Sequence, residues 1–371
     1  MAGELYLGIM SGTSLDGIDL ALATIEKGSA KLIDSHFVAM PEKLASDLKE
    51  LHANHTITLS KLGELDHRLG KLYAESVIAL LEKTSFSAKD IVAIGCHGQT
   101  IYHQPEGKNP FTMQIGDANI IAARTGIQTV ADFRRKDMAF NGQGAPLVPA
   151  FHQAVFQQSH SSLVILNIGG IANVSVIQPD GSVTGFDTGP GNGLLDEWCE
   201  CHTGKPFDEN ARFAKQGETN TALLTLLLSD NYFSKPFPKS TGREYFNLSW
   251  LKKCLQIYGE PIQKEDVQRT LVELTVQTIH QSVKPLGQGK APTLIVCGGG
   301  VHNPLIINGL TNKLPDWTIT TTKAYGINED DMEAMAFAWL AYRRIHHLPA
   351  NLPSVTGAQK ATTLGCVYLP D

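Results

Sequence analysis

The sequence has few charged residues and no excess of positive charge. Charged side chains make up 18% of the chain, whereas an average globular protein has ~25%. The formal net charge is −6. A general nucleic-acid binder usually carries a basic patch or has a basic pI. We therefore expect no nucleic-acid partner.

The sequence also lacks long hydrophobic runs and paired cysteines. No apolar run reaches the ~18–20 residues that cross a bilayer, and the N-terminus carries Glu4 instead of a basic leader. The six cysteines are scattered, and those in apolar runs, Cys96 and Cys297, are typical of small buried hydrophobes. The segment 199–202 (CECH) has no second pair at zinc spacing, so we expect no metal there. These features favour a reduced cytoplasmic protein without a membrane partner.

Apolar runs alternate with helical patterns along the chain. Residues 5–10 and 18–25 are two strand-like runs joined by a Gly/Ser/Thr turn, which predicts a hairpin. The same pattern returns at 163–168 and 171–177. Further predicted strands lie at 91–95, 127–131 and 293–297, and amphipathic helices at 60–83, 265–286 and 330–347. Strands that alternate with helices predict an α/β fold.

The two glycine hairpins suggest two similar halves. We place the division near residues 150–160, which gives an N-terminal domain over 1–155 and a C-terminal domain over 156–371. The segments 202–220 and 231–248 are rich in polar residues, Gly and Pro, so we interpret them as loops or an insertion.

Three glycine turns at strand ends indicate a site for phosphate. A glycine turn lets backbone N–H groups approach a phosphate with no Cβ in the way. Taken alone, each of the first two turns, at 12–19 and 169–170, is as typical of an ordinary turn as of a phosphate site. Three consecutive glycines at 298–300, after an apolar run, are harder to explain by packing. Neither the P-loop nor the dinucleotide fingerprint is present, so the three turns together favour another kind of nucleotide cleft between two halves.

Seven motifs carry a resemblance to a known family. They are LGIMSGTSLDGID at 7–19, GCHGQT at 95–100, ADFRRKDMA at 131–139, GQGAPLVP at 142–149, LNIGGIANVS at 166–175, GFDTGPGN at 185–192 and EAMAFAWLA at 333–341. The set resembles the anhydro-N-acetylmuramic acid kinase family, within the actin, sugar-kinase and Hsp70 ATPase superfamily. The resemblance implies two ribonuclease-H-like domains that flank an ATP cleft.

The resemblance also implies an activity and its cofactors. The family converts 1,6-anhydro-N-acetylmuramic acid, ATP and water to N-acetylmuramic acid 6-phosphate and ADP, in cell-wall recycling. We therefore expect ATP and Mg²⁺ as cofactors, a small anhydrosugar as partner, and leave a homodimer open. The expected nucleotide-binding residues are Gly12, Thr13, Ser14, Leu15, Asp16, Gly17, Ile18, Asp19, Gly169, Gly170, Gly298, Gly299 and Gly300.

Asp187 is the expected catalytic residue. It lies in a segment of turn formers, 185–192, where an aspartate is commonly part of an Asx turn. With the resemblance, Asp187 becomes the general base that takes a proton from the water attacking C1 of the anhydrosugar.

The expected sugar contacts come from three places in the sequence. His97 and Gln99 follow the predicted strand at 91–95. Either Arg134 or Arg135 could offer the bidentate fork that suits the lactyl carboxylate of the substrate. Glu333 is either a sugar contact or part of a capping box, D-x-x-E at 330–333, that opens the last long helix.

One position departs from the wider superfamily. Many members have an aspartate near the metal at the end of the first strand, where this chain has Met10. Phosphates and waters would then hold Mg²⁺, with Asp16 or Asp19 in its outer shell. Two other functions stay open from the residues alone: a hexose kinase of the same fold, and an actin- or Hsp70-like nucleotide switch.

Overall fold

A computed structural model describes residues 3–12, 15–54, 56–156, 160–237 and 239–371. The chain divides into two compact units. Unit 1 combines Met1–Gln157 with Asp331–Asp371, and unit 2 is the continuous stretch Gln158–Asp330.

The strands and helices alternate as the sequence predicts. In chain order the strands are β1 (Glu4–Ser11), β2 (Gly17–Glu26), β3 (Ser29–Ala39), β4 (Ile91–Gln104), β5 (Phe111–Ile115), β6 (Thr129–Ala131), β7 (Leu163–Ile168), β8 (Ile171–Ile177), β9 (Val183–Pro190), β10 (Thr293–Cys297), β11 (Thr318–Thr321) and β12 (Cys366–Tyr368). The helices are α1 (Glu42–Asn54), α2 (Leu59–Leu81), α3 (Ala118–Thr125), α4 (Arg135–Ala139), α5 (Val148–Val155), α6 (Asn192–Thr203), α7 (Thr221–Leu228), α8 (Asn231–Ser234), α9 (Leu248–Tyr258), α10 (Lys264–Val283), α11 (Pro304–Lys313), α12 (Met332–Ile345) and α13 (Pro353–Thr356).

The sheet of unit 1 has the order β12-β6-β4-β1-β2-β3, with β5 paired to β4. Strands β1, β2 and β3 are antiparallel, whereas β4 runs parallel to β1 and to β6. The predicted first hairpin is therefore confirmed, and Met10 pairs with Asp19 next to its turn.

The sheet of unit 2 has the order β11-β10-β7-β8-β9. Here too the first three strands, β7, β8 and β9, are antiparallel, and β10 runs parallel to β7 and to β11. Five strands of each sheet thus share one order, three antiparallel strands followed by two parallel ones: β3-β2-β1-β4-β6 and β9-β8-β7-β10-β11. This repeated arrangement is the ribonuclease-H-like one, and it confirms the predicted fold class.

Apolar residues at helical spacing build the core beside each sheet. Helix α2 is preceded by Thr58, whose hydroxyl accepts a hydrogen bond from the N–H of Lys61, as N-cap residues do. Its buried stripe includes Leu65, Leu69 and Leu80. In unit 2, α10 buries a similar stripe that fills the core together with the inner face of the sheet.

The last long helix, α12, lies directly on the sheet of unit 1. A Cβ on Gly8 would meet the carbonyl oxygen of Ala334, and a Cβ on Gly95 would meet that of Phe337. Two glycines therefore allow the helix backbone to touch β1 and β4. In addition β12 pairs with β6. Because of these contacts residues 331–371 belong to unit 1, whereas the sequence analysis had assigned them to a second domain over 156–371.

Two further segments differ from the prediction. Strand β4 continues well past the predicted 91–95, because β5 pairs with its second half. Residues 185–190 form β9 and are not a turn, because they pair along β8. Among the helices of the described residues, none has the length and apolar character to cross a membrane.

Candidate active site

His97 and Arg134 form the centre of a polar cluster in unit 1. His97 lies within β4, not after it, and Arg134 immediately precedes α4. Arg134 donates from Nη2 to Nε2 of His97 at 2.8 Å and from Nε to the same atom at 3.3 Å. Its Nη1 donates to the carbonyl oxygen of Gly144 at 2.8 Å. The guanidinium is thereby fixed against the strand.

Burial and mutual charge set the protonation of this cluster. Desolvation and the charge of Arg134 together hold the pKa of His97 well below its usual range, so its imidazole is neutral. Burial lowers the pKa of Arg134 to about 10, and the negative charge of Glu333 opposes that shift. Burial raises the pKa of Glu333, against the opposing effect of Arg134. These three predicted residues are therefore electrostatically coupled.

Glu333 lies in the first turn of α12, and the capping box that was the alternative to a sugar contact is absent. The residue that precedes the helix is Asp331, not Asp330, and its side chain makes no capping hydrogen bond. The helix thus begins one residue later than the D-x-x-E pattern at 330–333 requires, so the pattern does not cap it.

Arg135 does not join the cluster. Its side chain is 66% exposed and forms a two-point ion pair with Asp132, with Nε at 2.8 Å from Oδ1 and Nη2 at 2.6 Å from Oδ2. Of the two neighbouring arginines, only Arg134 is held beside His97.

Gln99 is fully buried and holds the loop after β1. Its Oε1 accepts a hydrogen bond from Oγ of Ser11 at 2.6 Å, and its Nε2 donates to the carbonyl oxygen of Gly12 at 3.2 Å and of Thr100 at 3.3 Å. Gln99, which the sequence analysis selects as a sugar contact, thus uses both ends of its side-chain amide to hold the first hairpin.

The first hairpin turn is described in part. Thr13 and Ser14 lie outside the described residues. Leu15 has a left-handed φ of 58° and is buried. Asp16 accepts the N–H of Gly17 at Oδ1, and its carbonyl accepts the N–H of Met40. The remaining two predicted residues, Ile18 and Asp19, are in β2, the former buried and the latter half-buried.

Asp187 lies on β9 in unit 2 and is half-buried. Its Oδ2 accepts the N–H of Thr241 at 2.9 Å, and within the described residues Oδ1 has no hydrogen-bond partner. Its backbone is fixed by Lys239, whose carbonyl accepts the N–H of Asp187, and by the hydroxyl of Tyr232, which donates to the carbonyl of Asp187. Burial raises the pKa of this carboxyl to about 6, although the Thr241 hydrogen bond opposes the shift.

The segment 239–244 adjoins Asp187, a contact that the sequence analysis missed. It had been interpreted as loop or insertion, and in the structure it supplies the partners of Asp187. Its composition gave no sign of this role, because the decisive groups are backbone ones at Lys239 and Thr241. Arg243, in the same segment, was also missed.

The second hairpin turn is tied to the start of α6. The carbonyl oxygen of Gly170 accepts the N–H groups of Gly191 and Gly193, both at 3.0 Å, and that of Gly169 accepts the N–H of Asn192 at 2.8 Å. For the N–H groups of Gly169 and Gly170 themselves, the described residues offer no acceptor. Two backbone donors are thus available on a rigid turn.

The glycines after β10 lie beside the end of β7. Gly298 has a left-handed φ of 77°, and a Cβ there would meet the side chain of Asn167. A Cβ on Gly300 would meet Ile168. At Gly299, by contrast, the nearest atom to such a Cβ is Nδ2 of Asn192, at 3.6 Å. Asn192 therefore lies next to both predicted nucleotide-binding turns of unit 2.

A buried aspartate that the sequence analysis did not select supports the cluster of unit 1. Asp137 accepts hydrogen bonds at Oδ1 from Asn351 and Thr356 and at Oδ2 from the N–H of Gly144. It thereby fixes the loop whose carbonyl holds Arg134.

Comparison with known proteins decides the family. The model of the anhydro-N-acetylmuramic acid kinase family matches residues 4–370. The chain belongs to this family. It is 54% identical over 368 residues to the anhydro-N-acetylmuramic acid kinase of Vibrio cholerae, covering 99% of both chains. It is also 54% identical to that of Pasteurella multocida, covering 98% of this chain and 96% of the relative.

The match confirms the family and the enzyme class, a kinase, that the seven motifs predict. ATP use follows from membership of a kinase family. Among solved structures, a ROK family glucokinase from Streptomyces griseus in complex with glucose and AMPPNP is 14% identical, with a TM-score of 0.41 over 91% of this chain and 99% of that one. That likeness is too weak to decide anything further.

Proposed function

We propose that this chain is the ATP-dependent kinase that converts 1,6-anhydro-N-acetylmuramic acid, ATP and water to N-acetylmuramic acid 6-phosphate and ADP in peptidoglycan recycling. The family match supports the substrates. The observation that carries the mechanism is the Asp187 carboxylate, with Oδ2 held by a backbone N–H and Oδ1 available within the described residues. A carboxylate fixed in this way suits a general base.

In the proposed reaction Asp187 accepts a proton from water while the water oxygen forms a bond to C1 of the anhydrosugar. The C1–O6 bond breaks, and O6 attacks the γ-phosphorus of ATP. The bond from that phosphorus to the bridging oxygen then breaks, which releases ADP. Inverting glycosidases likewise use a carboxylate base with room for a water molecule. A pKa of about 6 keeps Asp187 ionised at neutral pH and makes it a better base than an ordinary aspartate.

Arg134 is the proposed partner of the lactyl carboxylate. It is fixed by His97 and by the Gly144 carbonyl and still has N–H groups to donate. Neutral His97 and Glu333 are the proposed neighbours of the sugar ring, because both adjoin that guanidinium. Arg135 has no role in the proposal, because its guanidinium is already paired with Asp132.

The turns of unit 2 fit a nucleotide. The available N–H groups at Gly169 and Gly170 suit phosphate oxygens, and the room beside Gly299 suits a close approach of the nucleoside. We propose that the turn at residues 12–19 provides further phosphate contacts, with Gln99 as the residue that holds it.

Mg²⁺ fits the turn of unit 1 only through its outer shell. The carboxylates at this turn are Asp16 and Asp19, and the described residues contain no group of three side chains that could hold a metal ion. Mg²⁺ readily keeps several waters, so Asp16 and Asp19 would bind those waters. Bound in this way, the ion neutralises phosphate charge.

The decisive experiment measures ADP release with the anhydrosugar and with free N-acetylmuramic acid as alternative acceptors. We expect release only with the anhydrosugar, and N-acetylmuramic acid 6-phosphate as product. A preference for the free sugar would indicate a hexose kinase, and ADP release without either sugar would indicate a nucleotide switch.

An isotope experiment tests whether the water attacks C1 of the sugar or the phosphorus of ATP. In H₂¹⁸O the label should enter the C1 hydroxyl and be absent from the transferred phosphate. Product must be analysed early, because exchange of the anomeric oxygen with the labelled solvent also places label at C1. Label in the phosphate would mean that water attacks phosphorus, which contradicts the mechanism.

A further inference from the structure

Arg243 lies against the second hairpin of unit 2. A Cβ on Gly170 would be 3.2 Å from Cδ and 3.8 Å from Nε of Arg243, and a Cβ on Gly193 would be 3.5 Å from Nε. The arginine therefore lies beside Gly170 in the turn and beside Gly193 at the start of α6. A longer side chain at either glycine would collide with it.

The guanidinium of Arg243 is anchored at one end. Its Nη2 is 3.3 Å from Oε1 of Glu197, whose other oxygen accepts the N–H of Leu248 at 3.0 Å. The arginine side chain is 39% exposed, and within the described residues its Nε and Nη1 have no hydrogen-bond partner. A positive charge with free donors thus lies beside Gly170, in the turn whose N–H groups at Gly169 and Gly170 are available.

The same short loop carries the partner of the proposed base. Thr241, two residues before Arg243, donates its N–H to Asp187, and Lys239 accepts the N–H of Asp187. The position of Asp187 and the position of Arg243 are therefore fixed by one segment, 239–243.

We propose that Arg243 contacts the β- and γ-phosphates of ATP at the Gly169–Gly170 turn, with Glu197 as its positioning residue. The proposal rests on the proposed function, since it assigns the same nucleotide site. Arginine suits this place because its planar fork binds two phosphate oxygens at once, which a lysine cannot do. The backbone N–H groups of the turn alone can bind an anion. The positive charge of Arg243 adds a preference for ATP and ADP over adenosine.

The test compares binding of adenosine, ADP and ATP by calorimetry to the full chain and to Arg243→Gln. Charge-assisted hydrogen bonds are the strong ones, so we expect ADP and ATP to bind about tenfold more weakly or worse, with adenosine unchanged. Arg212→Gln is the matched control, because Arg212, also in unit 2, is 68% exposed and among the described residues its guanidinium pairs only with Glu209. It should keep the affinity for all three ligands.

Two further variants separate phosphate contact from a structural role. Arg243→Lys keeps the charge and should retain part of the preference for ATP over adenosine. Glu197→Gln should weaken ATP binding less than Arg243→Gln does. In both variants, the acid limb of the pH profile should stay near that of the unmodified chain, since Thr241 still holds Asp187.

Equal losses for adenosine and ATP in Arg243→Gln, or no loss for either, would overturn the proposal. Failure of the proposed function is recognised separately, in the unmodified chain. If that chain binds ATP and yet releases no ADP with the anhydrosugar, the function is wrong, and the binding comparison still decides the role of Arg243.

Discussion

Arg134 donates a hydrogen bond from Nη2 to Nε2 of His97 over 2.8 Å. Because a guanidinium has no acceptor, Nε2 of His97 carries no proton, and the single ring proton is on Nδ1. The neighbouring charge and burial both keep this histidine neutral. His97 therefore does not titrate in the pH range where the enzyme would be assayed, so an acid limb in the activity must have another origin.

The neighbouring arginines offer a matched pair of variants. We expect Arg134→Lys to raise KM for the anhydrosugar about tenfold or more, because a charge-assisted fork contributes about 1.5–3 kcal/mol and a lysine cannot reproduce it. Arg135→Lys should have a KM close to that of the unmodified chain, since Arg135 pairs with Asp132. Initial rates over a range of sugar concentrations measure both. If Arg135→Lys alone raised KM, the assignment would be reversed.

Asp187→Asn keeps the size of the side chain and removes the base. Positioned general bases contribute typically 10²–10⁴-fold, so kcat should fall at least about 100-fold. The affinity for ATP and for the anhydrosugar should change little, because the lost interaction belongs to the transition state. Calorimetry and single-turnover rates separate the two effects. A large loss of affinity with kcat preserved would show that Asp187 only holds the substrate.

The pH dependence of kcat/KM should report the ionisation of Asp187. Because burial raises its pKa to about 6, kcat/KM should decrease as the pH falls through about 6, where the carboxylate becomes protonated and can no longer accept a proton. Arg135→Lys is the control, and its kcat/KM should decrease over the same pH range. An apparent pKa near 4 would mean that Asp187 is exposed to water in the free enzyme.

The raised pKa of Asp187 also affects stability. Its folded pKa of about 6 is above the usual 3.8 of an aspartate in water, so the folded state binds the proton more tightly than the unfolded one. The charged form therefore destabilises the fold above pH 6, and this cost disappears as the pH falls below about 4. Asp187→Asn should raise Tm at pH 7.5 and leave it nearly unchanged at pH 4. Thermal unfolding at the two pH values checks this, and a lower Tm at pH 7.5 would contradict it.

Gly170→Val tests the second hairpin without a charge change. The new side chain would lie against Arg243, at a Cβ-to-Cδ distance of 3.2 Å, and would cover the N–H groups of the turn. ATP binding should be lost while the variant still unfolds cooperatively. Gly63→Val is the control, because a Cβ at Gly63 meets nothing within 4 Å. Unchanged ATP affinity in a folded Gly170→Val variant would contradict the assignment of this turn to the nucleotide site.

The elements of this fold were largely predictable where periodicity is strong. Strands β7 and β8 match the predicted runs 163–168 and 171–177, and α2 matches its leucine stripe. The extension of β4 could not be predicted, because it depends on pairing with β5 across a polar hairpin. The place of α12 could not be predicted either, since Gly8 and Gly95 are recognisable as contact points only once a helix lies on them.

The site was predictable as far as side-chain chemistry shows in the sequence. His97, Arg134 and Glu333 were selected and are coupled in the structure. Gln99 was selected too, and its side chain holds the first hairpin. The loop over Asp187 was missed because its backbone, and not its side chains, makes the decisive hydrogen bonds.

The helix that lies on Gly8 and Gly95 is synthesised after the whole of unit 2. Unit 2 ends at Asp330, so all of it has been translated before α12 and β12 exist. N-terminal domains usually fold first during synthesis. Here the face of the N-terminal strands that packs on α12 stays uncovered until that helix is made, and the continuous middle unit is the first that can be completed. On a ribosome-bound chain, residues 158–330 should therefore gain protection from protease before residues 1–157 do.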